Sequence, residues 1–116
     1  MIRRANERVT EIREQMRGGK GAVEISPLFE KGEYKGKARL IAQITLNPGC
    51  SIGEHAHEGE DEIYFFISGK GIVNDNGVIH EVTAGDSVLT GNGAYHSVEN
   101  TGDEPLVLMA VIILYE

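Results

Sequence analysis

Three histidines and one glutamate carry the most chemistry per residue in this 116-residue chain. His55 and His57 stand two apart, Glu62 follows five residues later, and His96 lies downstream in GDSVLTGNGAYHSVEN. On an extended chain, residues two apart point to the same face, so both histidines address one spot. Glu62 reaches that spot if its strand begins there. Three imidazoles and a carboxylate suit a divalent transition metal, with Mn, Fe, Ni, Co and Zn as candidates. Four protein ligands leave a position or two for water or substrate, as a catalytic site requires. One histidine alone would read as a surface or core residue; the spacing of three makes the case. Occupancy should fall as pH drops below the ordinary histidine value of about 6.5, because only neutral imidazole binds metal.

These residues must be carried by short strands. Ala22–Ser26, Ala38–Leu46, Glu62–Ser68, Val78–Val82, Ser87–Thr90, Tyr95–Glu99 and Leu106–Tyr115 alternate or run apolar, with a further strand starting at Ile72. Turn chemistry separates them, most clearly Asn76-Gly77, a two-residue hairpin signal. Eight to ten short strands broken every 8–12 residues give an all-β sandwich or barrel. Glu62–Ser68 is apolar on both faces, which predicts burial on both sides. Ahead of the barrel, Val9, Ile12 and Met16 share a helical face, so a short helix capped by Asn6 or Thr10 is expected through Met16. Arg17-Gly18-Gly19-Lys20-Gly21 reads as a flexible connector. The domain plan is therefore residues 1–21 as helix and connector, and 22–116 as one barrel.

The ligand spacing resembles the two motifs of the cupins. Gly49, His55, His57, Glu62 and Gly69 match the first motif, and Gly85, Gly93, His96 and Asn100 match the second. Gly91 stands where that family usually has proline, a change in a turn and not in a ligand. The resemblance implies a double-stranded β-helix, or jelly roll, with one metal at His55, His57, Glu62 and His96. It points toward small single-domain members of the RmlC-like and oxalate-decarboxylase-like kind. It implies a metal-dependent enzyme acting on a small oxygen-rich acid or a sugar-derived compound, by decarboxylase, dioxygenase or isomerase chemistry. The alternative is a non-enzymatic small-ligand module with a structural or anchoring metal. It also implies a homodimer, with Val23–Phe29 adding to the partner's sheet.

Around the metal, Glu60 is a candidate mobile acid or base, and Tyr64 shares parity with Glu62 and offers a hydroxyl. Arg39 and Gln43 share parity on an earlier strand. If that face looks inward they would meet a substrate carboxylate; if not, they face solvent or a subunit. Glu58, Glu60 and Asp61 form an acidic run that reads as a solvated loop. His80 reads as a surface residue, and Cys50 as a small strand-end residue that has no partner for an internal disulfide.

A net charge of −7 argues against nucleic acid and anionic membrane surfaces as partners. No apolar run reaches the roughly 18–20 residues of a membrane span. The charged N-terminus lacks the apolar core of a secretory signal, so a cytoplasmic location is expected.

Overall fold

The computed structural model describes residues 1–116 as ten strands and two short 3-10 turns. The strands are β1 (Glu11–Glu14), β2 (Ala22–Pro27), β3 (Ala38–Leu46), β4 (Ser51–Ala56) and β5 (Glu60–Ser68), followed by β6 (Lys70–Asp75), β7 (Val78–Thr83), β8 (Ser87–Gly91), β9 (Tyr95–Asn100) and β10 (Leu106–Leu114). They form two antiparallel sheets. One has six strands in the order β1-β2-β3-β10-β5-β8, and the other has four in the order β4-β9-β6-β7. The fold is the expected all-β jelly roll. No helix is long and apolar enough to cross a membrane.

The core lies between the sheets. Val23, Ile25, Ala42, Ile44, Leu46, Ile52, Tyr64, Phe66, Val73, Val98, Leu106, Leu108 and Ala110 are all buried there. Alternation along β3 and β10 supplies most of it, as a period of two demands. Emptying the fully buried Phe66 to alanine should cost about 3–5 kcal/mol. At one end of the barrel Asn100 closes the loop before β10. Its amide donates to the carbonyls of Leu46 and Glu104, each at 2.8 Å, and its Oδ1 accepts from the Gly102 N–H at 2.8 Å.

Two β-bulges re-aim side chains next to the histidines. In the β4–β9 pair, Ile52 faces Val98 and His55 faces His96, so Gly53 and Glu54 together oppose Ser97. Ile52 points inward. Strict alternation from it would turn Glu54 and Ala56 inward and both histidines outward; the extra residue reverses the parity. In the β3–β10 pair, Ile112 faces Leu40 and Ile113 faces Ala38, leaving Arg39 without a partner. Arg39 and Leu40 therefore both line the interior, whereas Gln43 stays on the outer face, only half-buried.

The N-terminal segment departs from expectation. No helix forms over residues 6–16. A 3-10 turn at Ala5–Glu7 leads to β1, which pairs with β2 through Glu11↔Ile25 to Glu14↔Ala22. A helix of about ten residues is marginal in water, and the free edge of β2 offers the same backbone a complete ladder. The glycine-rich connector is also tied down. Lys20 O accepts from the Ser51 N–H at 2.9 Å, and the Lys20 N–H donates to Ser51 Oγ at 2.8 Å. Gly19 and Gly53 allow this approach: a Cβ on Gly53 would stand 2.0 Å from the Arg17 carbonyl, and one on Gly19 would stand 2.2 Å from that of Ser51.

The outer face of β5 is the second departure. Phe65 is 45% exposed and Ile67 44%, so this strand is buried on one side only. Ile63, Leu89, Val111 and Ile41 make one cross-strand row on that outer face.

Candidate metal centre

The β4 bulge aims His55 and His57 inward, β9 presents His96 opposite them, and the three Nε2 atoms converge. His57 Nε2 lies 3.1 Å from His96 Nε2, which lies 3.1 Å from His55 Nε2. Glu62 Oε1 is 2.8 Å from His57 Nε2, 3.0 Å from His96 Nε2 and 3.9 Å from His55 Nε2. No two of the four ligand atoms are more than 4.8 Å apart. The four residues brought together are those that the spacing singled out.

The outward nitrogen of each ring is occupied. His55 Nδ1 bonds the Gly53 carbonyl at 2.7 Å, and His57 Nδ1 bonds Glu60 Oε2 at 2.5 Å. Carbonyl and carboxylate can only accept, which assigns the proton to Nδ1 and a lone pair to Nε2 in both neutral rings. His96 Nδ1 bonds Thr90 Oγ1 at 2.8 Å, and that hydroxyl can accept in the same sense. Three lone pairs and a carboxylate oxygen thus face one point. Glu62 Oε1 is buried without a hydrogen-bond partner. A buried acceptor among acceptors is costly unless a cation sits between them. These residues fit a divalent metal.

Charge is distributed to match. Burial alone would raise the Glu62 pKa, but the three histidines outweigh it and hold the carboxyl far below the usual carboxylate range. Burial works against a charged His57, yet Glu62 and Glu60 overcome it and raise that histidine. Burial wins at His96 and lowers it. The Arg39 guanidinium holds Glu60 at about 2, with burial opposing and His57 assisting.

A cavity of about 220 Å³ opens on the cluster, lined among others by Met16, Arg17, Arg39, Leu40, Ile44 and Tyr64. Tyr64 is buried and stacks on His96, with centroids 4.8 Å apart and planes 18° apart. Burial and the nearby Glu62 charge push its hydroxyl well above the ordinary tyrosine pKa. Glu60 is 9% exposed and lies inside the barrel, because β5 starts two residues before the expected Glu62 and so includes part of the acidic stretch. Arg39 Nε and Nη2 donate to its Oε1 and Oε2 at 2.7 and 2.8 Å. His80 is exposed, as expected, and Cys50 is a free, half-buried thiol packed on the core. Gly91 has its own reason to be small: a Cβ there would fall 1.9 Å from Asp61 Oδ1. Thr90 and the Gly53 carbonyl were not evident from the sequence, since neither belongs to a ligand motif.

Both motifs lie within residues 42–112, which match the model of the cupin domain, and the chain belongs to that family. It is 47% identical over 114 residues to a Thermotoga maritima protein named "Oxalate-binding protein", covering 98% of this chain and 94% of that one. A crystal structure of a "predicted oxalate decarboxylase" from Thermotoga maritima superposes with a TM-score of 0.94 at 47% identity, over 98% and 99% of the two chains. An RmlC-like cupin from Shewanella frigidimarina shares the fold, with a TM-score of 0.74 at 20% identity over 97% and 89%.

Proposed function

We propose that this cupin holds one divalent transition metal at His55, His57, Glu62 and His96 and uses it to bind a small oxygen-rich acid, oxalate first among the candidates. The observation that carries the reading is the orphaned Glu62 Oε1 facing three imidazole lone pairs. Three imidazoles and a carboxylate suit Mn, Fe, Co, Ni or Zn. A metal held there would supply a Lewis acid for carboxylate oxygens. The 47% relative named for oxalate supports the choice of ligand. Calorimetry of Mn²⁺-loaded protein with oxalate, and with acetate as control, tests it; heat with neither anion would contradict it.

In this reading Arg39 meets the ligand's carboxylate. Its Nη1 makes no bond within the protein, and the residue lines the cavity. Tyr64 lines the same cavity and offers its hydroxyl. Water is restricted by Leu40, Ile44, Ile52 and Ile112 along the same cavity.

Binding is favoured over turnover by Glu60. Decarboxylation replaces a C–C bond by C–H and needs a proton donor within reach. Glu60 is ionised, with both oxygens engaged, which suits an orienting role better than that of a mobile acid. An enzyme of the decarboxylase type remains the second reading, with Tyr64, which lines the cavity, as the proton-bearing group; formate release from oxalate would establish it.

A homodimer is part of the proposal, and the exposed row on β3, β10, β5 and β8 supports it. Antiparallel sheets normally present polar residues to water on one face. Here Phe65, Ile67, Leu89 and Ile113 are exposed together, and a second copy packed sheet on sheet would cover them. The earlier expectation used β2 as the joining strand, but β2 lies between β1 and β3 in its own sheet.

A further inference from the structure

Glu60 touches both halves of the proposed site. Its Oε2 accepts from His57 Nδ1 at 2.5 Å, and its two oxygens accept from Arg39 Nε and Nη2 at 2.7 and 2.8 Å. One carboxylate thus bonds a metal-ligating histidine and the guanidinium that faces the cavity. We propose that Glu60 is a shared positioning residue, fixing the His57 tautomer for the metal and the Arg39 guanidinium for a ligand carboxylate. The proposal rests on the metal-and-acid reading above.

Three features support it. First, the bond to His57 determines chemistry as well as packing. A carboxylate on Nδ1 keeps the proton there, leaves the lone pair at Nε2 and stops the ring from turning; such outer partners tune metal affinity. Second, Arg39 is gripped on one side only. Nε and Nη2 are held by Glu60, while Nη1 is unengaged, so the cation is pre-oriented yet retains donors for an anion. Ordering a free arginine on binding would lose side-chain freedom, and the grip removes much of that loss beforehand. Third, the backbone brings the two together. The β3 bulge leaves Arg39 without a ladder partner and lets it line the cavity, and the unbroken register of β5 puts Glu60 on the inward face it shares with Glu62.

Arg13, another arginine of the cavity mouth, is committed elsewhere, to Glu11 at 2.8 Å. It is exposed and its partner lies on its own strand, so it links nothing to the metal ligands.

The test measures two constants on the full chain. Mn²⁺ affinity is read by competition with a coloured chelator, and oxalate affinity by calorimetry on Mn²⁺-saturated protein. Glu60→Ala should lower both, each by about tenfold or more. Arg39→Ala should lower oxalate affinity about tenfold while leaving Mn²⁺ affinity within about threefold, because Glu60 still holds His57. Glu60→Gln is the same shape and guards against misfolding. Its amide offers one acceptor oxygen to three donors, so at least one constant should fall about tenfold. The proposal is overturned if Glu60→Gln changes neither constant, or if Glu60→Ala changes only one. Wild-type protein that takes up no Mn²⁺, or loaded protein that ignores oxalate, overturns the underlying reading and this one with it. Wild-type protein that binds both while Glu60 variants stay silent overturns only the role of Glu60.

Discussion

Ile52 and His55 face the same interior although they are three residues apart, because Gly53 and Glu54 share a single partner, Ser97. The inward aim of His55, and of His57 just after β4, therefore depends on a bulge, and the bulge depends on backbone packed over Gly53. Gly53→Ala would drive a Cβ to 2.0 Å from the Arg17 carbonyl. It should destabilise the chain by about 1–3 kcal/mol, as overpacking does, and weaken metal binding as well. Urea unfolding beside a metal titration checks both. A variant with unchanged stability would show that the Arg17 turn moves away freely.

Tyr64 contributes area and a hydroxyl, and two substitutions separate them. Tyr64→Ala empties a buried site and should cost about 3–5 kcal/mol in urea unfolding. Tyr64→Phe keeps the ring on His96. It should leave Mn²⁺ affinity within about threefold and weaken oxalate by about two- to tenfold, the range of one hydrogen bond. Equal oxalate affinity in wild type and Tyr64→Phe would remove the hydroxyl from the ligand site.

Acid should act on the metal-free chain through its carboxylates. Glu60 titrates at about 2 when folded, against an ordinary value of 4.5. Its stabilisation is complete above 4.5 and is lost as pH falls toward 2. Glu62 works in the same direction. The histidines oppose each other. His57 is raised, so its contribution is present below 6.5 and fades as pH rises through its folded value. His96 is lowered, so folding excludes its proton and stability falls as pH drops below 6.5. Urea midpoints of the metal-free protein should therefore change little around pH 6.5 and fall steeply below 4.5. Metal uptake has the opposite sense at His57, rising as that proton leaves. A metal-free midpoint that stays level down to pH 3 would contradict the assignment.

The exposed row on the six-stranded sheet predicts a dimer. Light scattering should give twice the chain mass for wild type. Leu89→Glu combined with Phe65→Lys should give the mass of one chain with little loss of fold, since both side chains are exposed in the single chain. A wild-type monomer would sink this part of the account.

Much of the site was legible because it depends on local period. His55 and His57 share a face whatever precedes them, and Glu62, Tyr64 and Phe66 keep one parity along β5. The barrel followed from strand spacing and turn residues. What escaped was set by contacts far apart in sequence. The bulges at Gly53 and Arg39 arise where β4 and β3 meet β9 and β10, so neither strand shows them alone. The segment before residue 17 carries a helical spacing, but the β2 edge took it as a strand. The acidic run looked like a solvated loop because its member Glu60 finds its partners on β3 and just after β4. Phe65 and Ile67 read as core because apolar composition does not reveal which face a single chain leaves uncovered.

The most direct measurement is metal content by elemental analysis of protein purified without chelator and then reloaded, wild type beside His57→Ala. The account predicts about one Mn, Fe, Co, Ni or Zn per wild-type chain and almost none in the variant. Wild-type protein that stays empty after reloading above pH 7, or a variant that keeps its metal, would contradict it.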